Sequence, residues 1–123
     1  MVHLELNKIC KGFDHPVIDR LSLKVDKGEF FVIVGPSGIG KTTLLRCIAG
    51  LEKLDEGEIF IEGDNVTNVP PYNRNVAMTF ESYALYPHMT VFENIANPLK
   101  ALKKEDSLIR SRVYEIAELL HID

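Results

Sequence analysis

An uninterrupted apolar run, Phe30-Phe31-Val32-Ile33-Val34, leads directly into Gly35-Pro36-Ser37-Gly38-Ile39-Gly40-Lys41-Thr42, and this junction constrains the chain more than any other stretch. The run suits a central parallel-type strand covered on both faces. The segment after it matches G-x-x-x-x-G-K-[ST] at every fixed position. Glycines allow successive backbone N–H groups to point into one concavity, and the helix that follows adds its positive N-terminal end. Lys41 supplies a point charge for terminal phosphates, and the Thr42 hydroxyl is suited to Mg²⁺. The reading is a cradle for a nucleotide triphosphate, MgATP above all; the bland alternative is a glycine-rich turn before a helix. The spacing is neither the G-x-S-x-G of a hydrolase elbow nor the G-x-G-x-x-G of a dinucleotide fold, so Ser37 is read as a loop residue and not a nucleophile.

The flanking sequence supplies the rest of an α/β domain. Leu4 and Leu6 alternate with polar residues, as do Leu21, Leu23 and Val25 beyond a turn-rich stretch, and both segments read as half-buried strands. Residues 42–49 have helical composition and end at Gly50, a natural left-handed cap. Glu58-Ile59-Phe60-Ile61 reads as a short strand ended by a Gly63-Asp64-Asn65 turn, with a further strand expected over 76–80. From Ser82 onward the pattern reads as helical. Thr90-Val91-Phe92-Glu93 fits a capping box, Pro98 is expected to close that helix, and Ile109, Val113, Ile116, Ala117 and Leu120 form an apolar stripe for packing.

Composition removes several function classes. A formal net charge of −4 with dispersed Lys and Arg offers no field for nucleic acid. Cys10 and Cys47 are too far apart in sequence for a disulfide framework or metal knuckle, which suits reduced thiols in a cytoplasm. His3, His15, His88 and His121 have no metal-ligand spacing. The N-terminus lacks signal-peptide character, and no segment approaches the ~20 apolar residues of a membrane helix.

Four blocks, Gly28-Glu29-Phe30, the GPSGIGKTT loop, the segment LRCIAGLE over 45–52, and ESYALYPHMTVFENI over 81–95, together closely resemble an ABC transporter ATPase subunit. The resemblance runs through essentially the whole chain, and the SYALYPHMTV wording looks like the branch that powers sugar importers of the maltose type. It implies an α/β P-loop NTPase of the ABC ATPase type: an antiparallel β portion, then the Walker A strand, loop and helix, then the start of a helical subdomain. The expected division is 1–81 for the nucleotide-binding part and 82–123 for the helical part. The implied activity is ATP hydrolysis coupled to solute import by the intact protein, with ATP and Mg²⁺ as cofactors, two copies forming a homodimer around nucleotide, and transmembrane permease subunits as partners. The protein would then sit in the cytoplasm at the inner face of the cell membrane.

Carried over by residue, the resemblance makes Gly35, Pro36, Ser37, Gly38, Ile39, Gly40, Lys41, Thr42 and Thr43 the Walker A segment. Phe13, which follows Lys11-Gly12, becomes the aromatic that stacks on adenine; its alternative is a core aromatic beside a turn. Residues 83–91 fall where the family docks on its membrane subunits, or equally form internal packing. Two departures matter. Glu81 stands where the family's Q-loop has glutamine; a carboxylate can still take a place around Mg²⁺, but it adds negative charge near the γ-phosphate. The sequence also reaches Asp123 without an LSGGQ signature, a Walker B aspartate and catalytic glutamate, or a switch histidine. It therefore reads as the front half of an ATPase, expected to be inactive alone and open to self-association. The rival readings are a non-catalytic nucleotide-binding module and another P-loop enzyme; no N-K-x-D base-recognition motif supports a GTPase.

Overall fold

The computed structural model describes residues 1–80 and 85–122. The chain divides into two compact units, Met1–Met78 and Thr79–Asp123.

The first unit is a four-stranded antiparallel sheet in the order β2-β1-β3-β4 with one α-helix and a short 3-10 turn at Pro71–Asn73. β1 (Val2–Gly12) and β2 (Pro16–Asp26) form a long hairpin, and β3 (Glu56–Ile61) pairs with the other side of β1. Strict alternation would put residues of one parity on the core face, yet Leu6 and Ile9 are both buried. Lys8, at φ 48, bulges β1 between them, and Arg20, at φ 47, does the same in β2 between Ile18 and Leu21. Gly57 accommodates the first bulge: a Cβ there would lie 2.5 Å from the Lys8 carbonyl oxygen and 2.5 Å from Ile9 Cα. The turn into β4 (Asp64–Asn65) is the two-residue Glu62-Gly63 loop, at φ 51 and 85, so Asp64 and Asn65 belong to the strand and not to the expected turn.

Helix α1 (Lys41–Ala49) lies on the sheet through Leu44 and Cys47, which join Leu6, Ile9, Ile18, Ile59 and Val66 in one core. It ends as its sequence predicts. Gly50 is left-handed at φ 88, its N–H donates to the Cys47 carbonyl, and the Leu51 N–H donates to Arg46, a Schellman arrangement. Burial raises the pKa of the Cys47 thiol, which makes it a packing group and not a reactive one.

The expected central strand over 30–34 does not form. No strand of the sheet pairs with it, and Phe30, Val32 and Val34 are 92%, 62% and 84% exposed; only Ile33 reaches the core. An apolar run becomes a strand only where neighbours accept its N–H and C=O groups, and the described residues supply none. The expected strand over 76–80 is absent for the same reason. Exposed apolar area of even ~200 Å² is an incentive to associate of roughly 5 kcal/mol. The 123-residue chain is accordingly expected to sediment as an oligomer and to bind a hydrophobic dye; a dye-silent monomer with cooperative unfolding would contradict this.

Arg74 holds the far end of the P-loop helix. It is 5% exposed, and its guanidinium donates to the carbonyls of Cys47 at 3.1 Å, Ile48 at 3.0 Å, Thr67 at 3.1 Å and Val69 at 2.7 Å. Two of these acceptors are final-turn carbonyls of α1, which have no partner within the helix. Burial lowers the guanidinium pKa, and among the described residues no carboxylate pairs with it. Gly50 makes room: a Cβ would sit 2.8 Å from Arg74 Nε. Arg74→Ala is expected to cost about 2–4 kcal/mol in denaturant unfolding, with partial recovery in Arg74→Lys, because four carbonyls lose the guanidinium, the Cys47 carbonyl keeping the Gly50 N–H. A change below about 0.5 kcal/mol, the level of an ordinary surface substitution, would contradict it.

In the second unit, α2 (Val91–Ala101) packs on α3 (Asp106–Leu119) through Ala96, Ile109 and Val113, with Phe92, Ile95 and Leu99 around them. Ala117 is also buried, whereas Leu120 lies past the helix and is exposed. The capping box forms: Glu93 N–H donates to Thr90 Oγ1 at 3.1 Å and Thr90 N–H to Glu93 Oε1 at 3.2 Å. The latter bond, then the Thr90 side chain, holds the Glu93 carboxyl below its ordinary pKa, so the cap's contribution is present at neutral pH and lost on acidification through that lowered value. Among the described residues of this segment, helix begins at Val91 and not at Leu85: residues 85–90 are non-helical, and the expected start at Ser82 lies outside the described residues. Pro98 does not end α2. The helix continues to Ala101 and closes with Lys103 left-handed at φ 57, its N–H on the Lys100 carbonyl and the Lys104 N–H on Leu99. Among the described residues no helix is long and apolar enough to cross a membrane.

Candidate functional site: a phosphate cradle beside an exposed aromatic

The loop and the start of α1 have features that complement an anion. Gly38 and Gly40 take φ 79 and 108, conformations that other residues rarely adopt. Gly40 is also crowded, since a Cβ would lie 2.6 Å from Val17 Cγ1 and force a shift there; this approach seats the loop against the start of β2. Gly40 is the N-cap of α1, no side chain caps the helix, and its first turn has no acidic residue. The N–H groups of that turn are therefore offered outward with the positive end of the helix dipole behind them. Lys41 folds back over the loop. Its ammonium donates to the Pro36 carbonyl at 2.9 Å and to the Gly35 carbonyl. Pro36, Ser37, Ile39 and Thr42 are exposed and Thr43 is half-buried.

The residues present fit the phosphates of a nucleotide: unclaimed helix-end donors, an adjacent ammonium, and at Gly38 open space within 4 Å of where a Cβ would project. For Mg²⁺, the described residues hold no cluster of three or more His, Cys, Asp or Glu. Mg²⁺ is commonly held by one or two protein oxygens together with substrate phosphates and does not require such a cluster. Thr42 is the described candidate; Glu81, the other expected ligand, lies outside the described residues.

Phe13 is not a core aromatic. It is 62% exposed in the tight turn between β1 and β2, closed by its own N–H on the His15 carbonyl at 3.1 Å. It lines an open cleft of ≈ 480 Å³ with Lys11, Asp19, Arg20 and Asp55. Residues Pro16 and Val17 lead from this turn to the contact with Gly40, so the aromatic and the cradle are carried by the same end of β2.

Sequence reasoning missed two organising groups besides Arg74. Lys11 lies over the Phe13 ring and pairs with Asp55, a pairing that joins positions distant in sequence. Asn94 folds the segment before α2: it accepts from the Tyr86 N–H at 2.9 Å and donates to the carbonyls of Tyr86, Met89 and Thr90 at 3.2, 3.3 and 2.8 Å. That leaves Leu85, Tyr86 and Val91 exposed. Tyr83, within the expected docking segment, lies outside the described residues.

The sequence pattern described as ABC transporter matches residues 18–123. The chain belongs to this family. It is 46% identical over 121 residues to the spermidine/putrescine import ATP-binding protein PotA of Thermotoga maritima, which covers 98% of the chain and 33% of that protein. It is 47% identical to the sn-glycerol-3-phosphate import ATP-binding protein UgpC of Yersinia enterocolitica and 46% to the oligosaccharides import ATP-binding protein MsmX of Bacillus subtilis, covering 34% of each. The chain thus spans about a third of the length of the curated relatives it matches. Among solved structures it is similar to a nucleotide-free ATP-binding cassette from an ABC transporter, with 31% identity and a TM-score of 0.78 over 99% of the chain and 55% of that one. It is also similar to a dimeric ATP-binding cassette in a post-hydrolysis state bound to ADP and Pi, with 25% identity and a TM-score of 0.79 over 98% and 58%. The ABC ATPase fold expected from sequence is shared with these cassettes, here as a partial domain.

Proposed function

We propose that this chain is the nucleotide-triphosphate-holding portion of an import ATPase of the ABC transporter family. The observation that carries the reading is the uncapped start of α1, with Gly40 as N-cap and the Lys41 ammonium folded over the loop. Backbone N–H groups of the loop and of the first turn would hold the β- and γ-phosphates with Lys41, and Thr43 would add a further contact. Thr42 would hold Mg²⁺ together with phosphate oxygens, where the ion supplies neutralisation of phosphate charge. Glu81 is proposed as a second oxygen donor to that ion, and the exposed Phe13 ring as the surface on which adenine stacks.

The wider setting is proposed from the relatives' names. In the intact protein, hydrolysis drives solute import, two copies close around nucleotide, and permease subunits dock the ATPase at the cytoplasmic face of the membrane. Residues 1–81 form the nucleotide-binding part and 82–123 the beginning of the helical part. Identities of 46%, 47% and 46% to polyamine, glycerol phosphate and oligosaccharide import subunits are too even to select a solute. The nucleotide end carries the chemistry those systems share; a sugar is the solute we favour, on the SYALYPHMTV segment. Calorimetric titration tests the site itself. MgATP is expected to bind at least about tenfold more tightly than AMP, since AMP lacks the two phosphates that the loop's donors complement. Equal affinities would mean that the loop does not read phosphate.

A further inference from the structure

The turn that carries Phe13 is braced from one side by charged groups that the phosphate site does not use. Lys11, its side chain only 13% exposed, has its ammonium 5.1 Å from the centroid of the Phe13 ring, within cation–π range. The same ammonium is 3.7 Å from Asp55 Oδ1 and 3.9 Å from Glu52 Oε2. Asp55 then uses its second oxygen on the turn's backbone, accepting from the Gly12 N–H at 2.8 Å, while the Asp55 N–H donates to the Cys10 carbonyl at 2.9 Å. Glu52 continues the chain of contacts to Arg46 Nε at 3.8 Å, in the last turn of the P-loop helix. One face of the ring is therefore covered by a cation whose own position is fixed by two carboxylates. Phe13 as a whole remains 62% exposed.

We propose that Lys11 and Asp55 are positioning residues for nucleobase binding: they hold the Phe13 ring by one face so that its other face is presented to the base. The proposal rests on the reading of Phe13 as the base-stacking group. A free phenyl ring on a three-residue turn would lose rotamer freedom on stacking, and a ring already held by the cation loses less. Lys11 and Asp55 thus act on affinity for the base-bearing ligand and leave affinity for bare phosphates alone.

The test compares MgATP with magnesium tripolyphosphate, which carries the phosphates without a base, on the full chain. Lys11→Met and Asp55→Ala are each expected to weaken MgATP binding roughly fivefold, the scale of a partly exposed cation–π contact, and to leave tripolyphosphate affinity unchanged. Lys11→Arg restores ATP affinity, because a guanidinium can occupy the same face and pair with the same carboxylates. The chain contains no tryptophan, so Phe13→Trp provides a single tryptophan at the turn, excited selectively over the four tyrosines. Its emission is expected to be quenched by MgATP and not by tripolyphosphate, and the quenching to diminish when Lys11→Met is added. Two failures are distinguishable. If Phe13→Ala leaves ATP affinity unchanged and the tryptophan is not quenched, the base-stacking reading falls and the brace with it. If Phe13→Ala weakens ATP binding while Lys11→Met does not, or if Lys11→Met weakens ATP and tripolyphosphate equally, stacking stands and the positioning role is overturned.

Discussion

Steady-state phosphate release from MgATP by these 123 residues is expected to be indistinguishable from the uncatalysed rate. The cradle built by Gly38, Gly40, Lys41 and α1 can hold phosphates, but holding a ground state equally well throughout a reaction does not lower its barrier. Turnover needs a group that orients and deprotonates the attacking water and donors aimed at charge that develops in the transition state; such groups contribute on the order of 10²–10⁴ each. The family resemblance assigns them to signature, Walker B and switch segments, none of which occurs in this sequence. Glu81 is the one carboxylate that the same resemblance brings near the γ-phosphate, and a charge there repels the group to be transferred. A phosphate-release assay under excess MgATP decides the matter. Release at ordinary enzyme rates that disappears in Glu81→Gln would show that Glu81 acts as the base and would overturn this account. Activity in the wild-type chain that persists in Lys41→Ala would identify a contaminant.

What could be read from sequence was what is local. The Thr90–Glu93 capping box, the Gly50 terminus and the P-loop itself are each specified within a few residues, and each forms as expected. The alternation that marks β1 and β2 was legible too, although the bulges at Lys8 and Arg20 were not, since a bulge is set by what the partner strand allows. Failures fall where one segment depends on another. Residues 30–34 have every local property of a buried strand, yet all but Ile33 remain exposed because strand formation needs partners. Pro98 lacks an N–H and reads locally as a stop, yet α2 passes through it, with Ile95 and Leu99 on either side packed against the helix core. Arg74 looks in sequence like any surface arginine; only the fold brings the α1 carbonyls and those of Thr67 and Val69 around it. The same holds for the pairing of Lys11 with Asp55. The loop and helix start proposed to hold phosphate were therefore legible in advance, whereas the groups that support them were not.

The central claim is that the loop ending in Lys41 is a working triphosphate site, and isothermal titration of MgATP into the chain and into Lys41→Ala tests it most directly. Lys41 is the only cation brought over the loop by the described contacts, and its ammonium already lies against the Gly35 and Pro36 carbonyls. It can therefore exchange carbonyl partners for phosphate oxygens without a large movement of the backbone. Hydrogen bonds to charged groups contribute about 1.5–3 kcal/mol each, so removing the ammonium is expected to weaken binding by roughly tenfold to a hundredfold or more. The helix-end N–H groups remain in the variant and retain only a residue of affinity. Wild-type binding is expected to be weak but saturable, and the Lys41→Ala protein is expected to give no measurable heat at the same concentrations. Equal affinity in the two proteins, with the variant's fold intact by circular dichroism, would contradict the account.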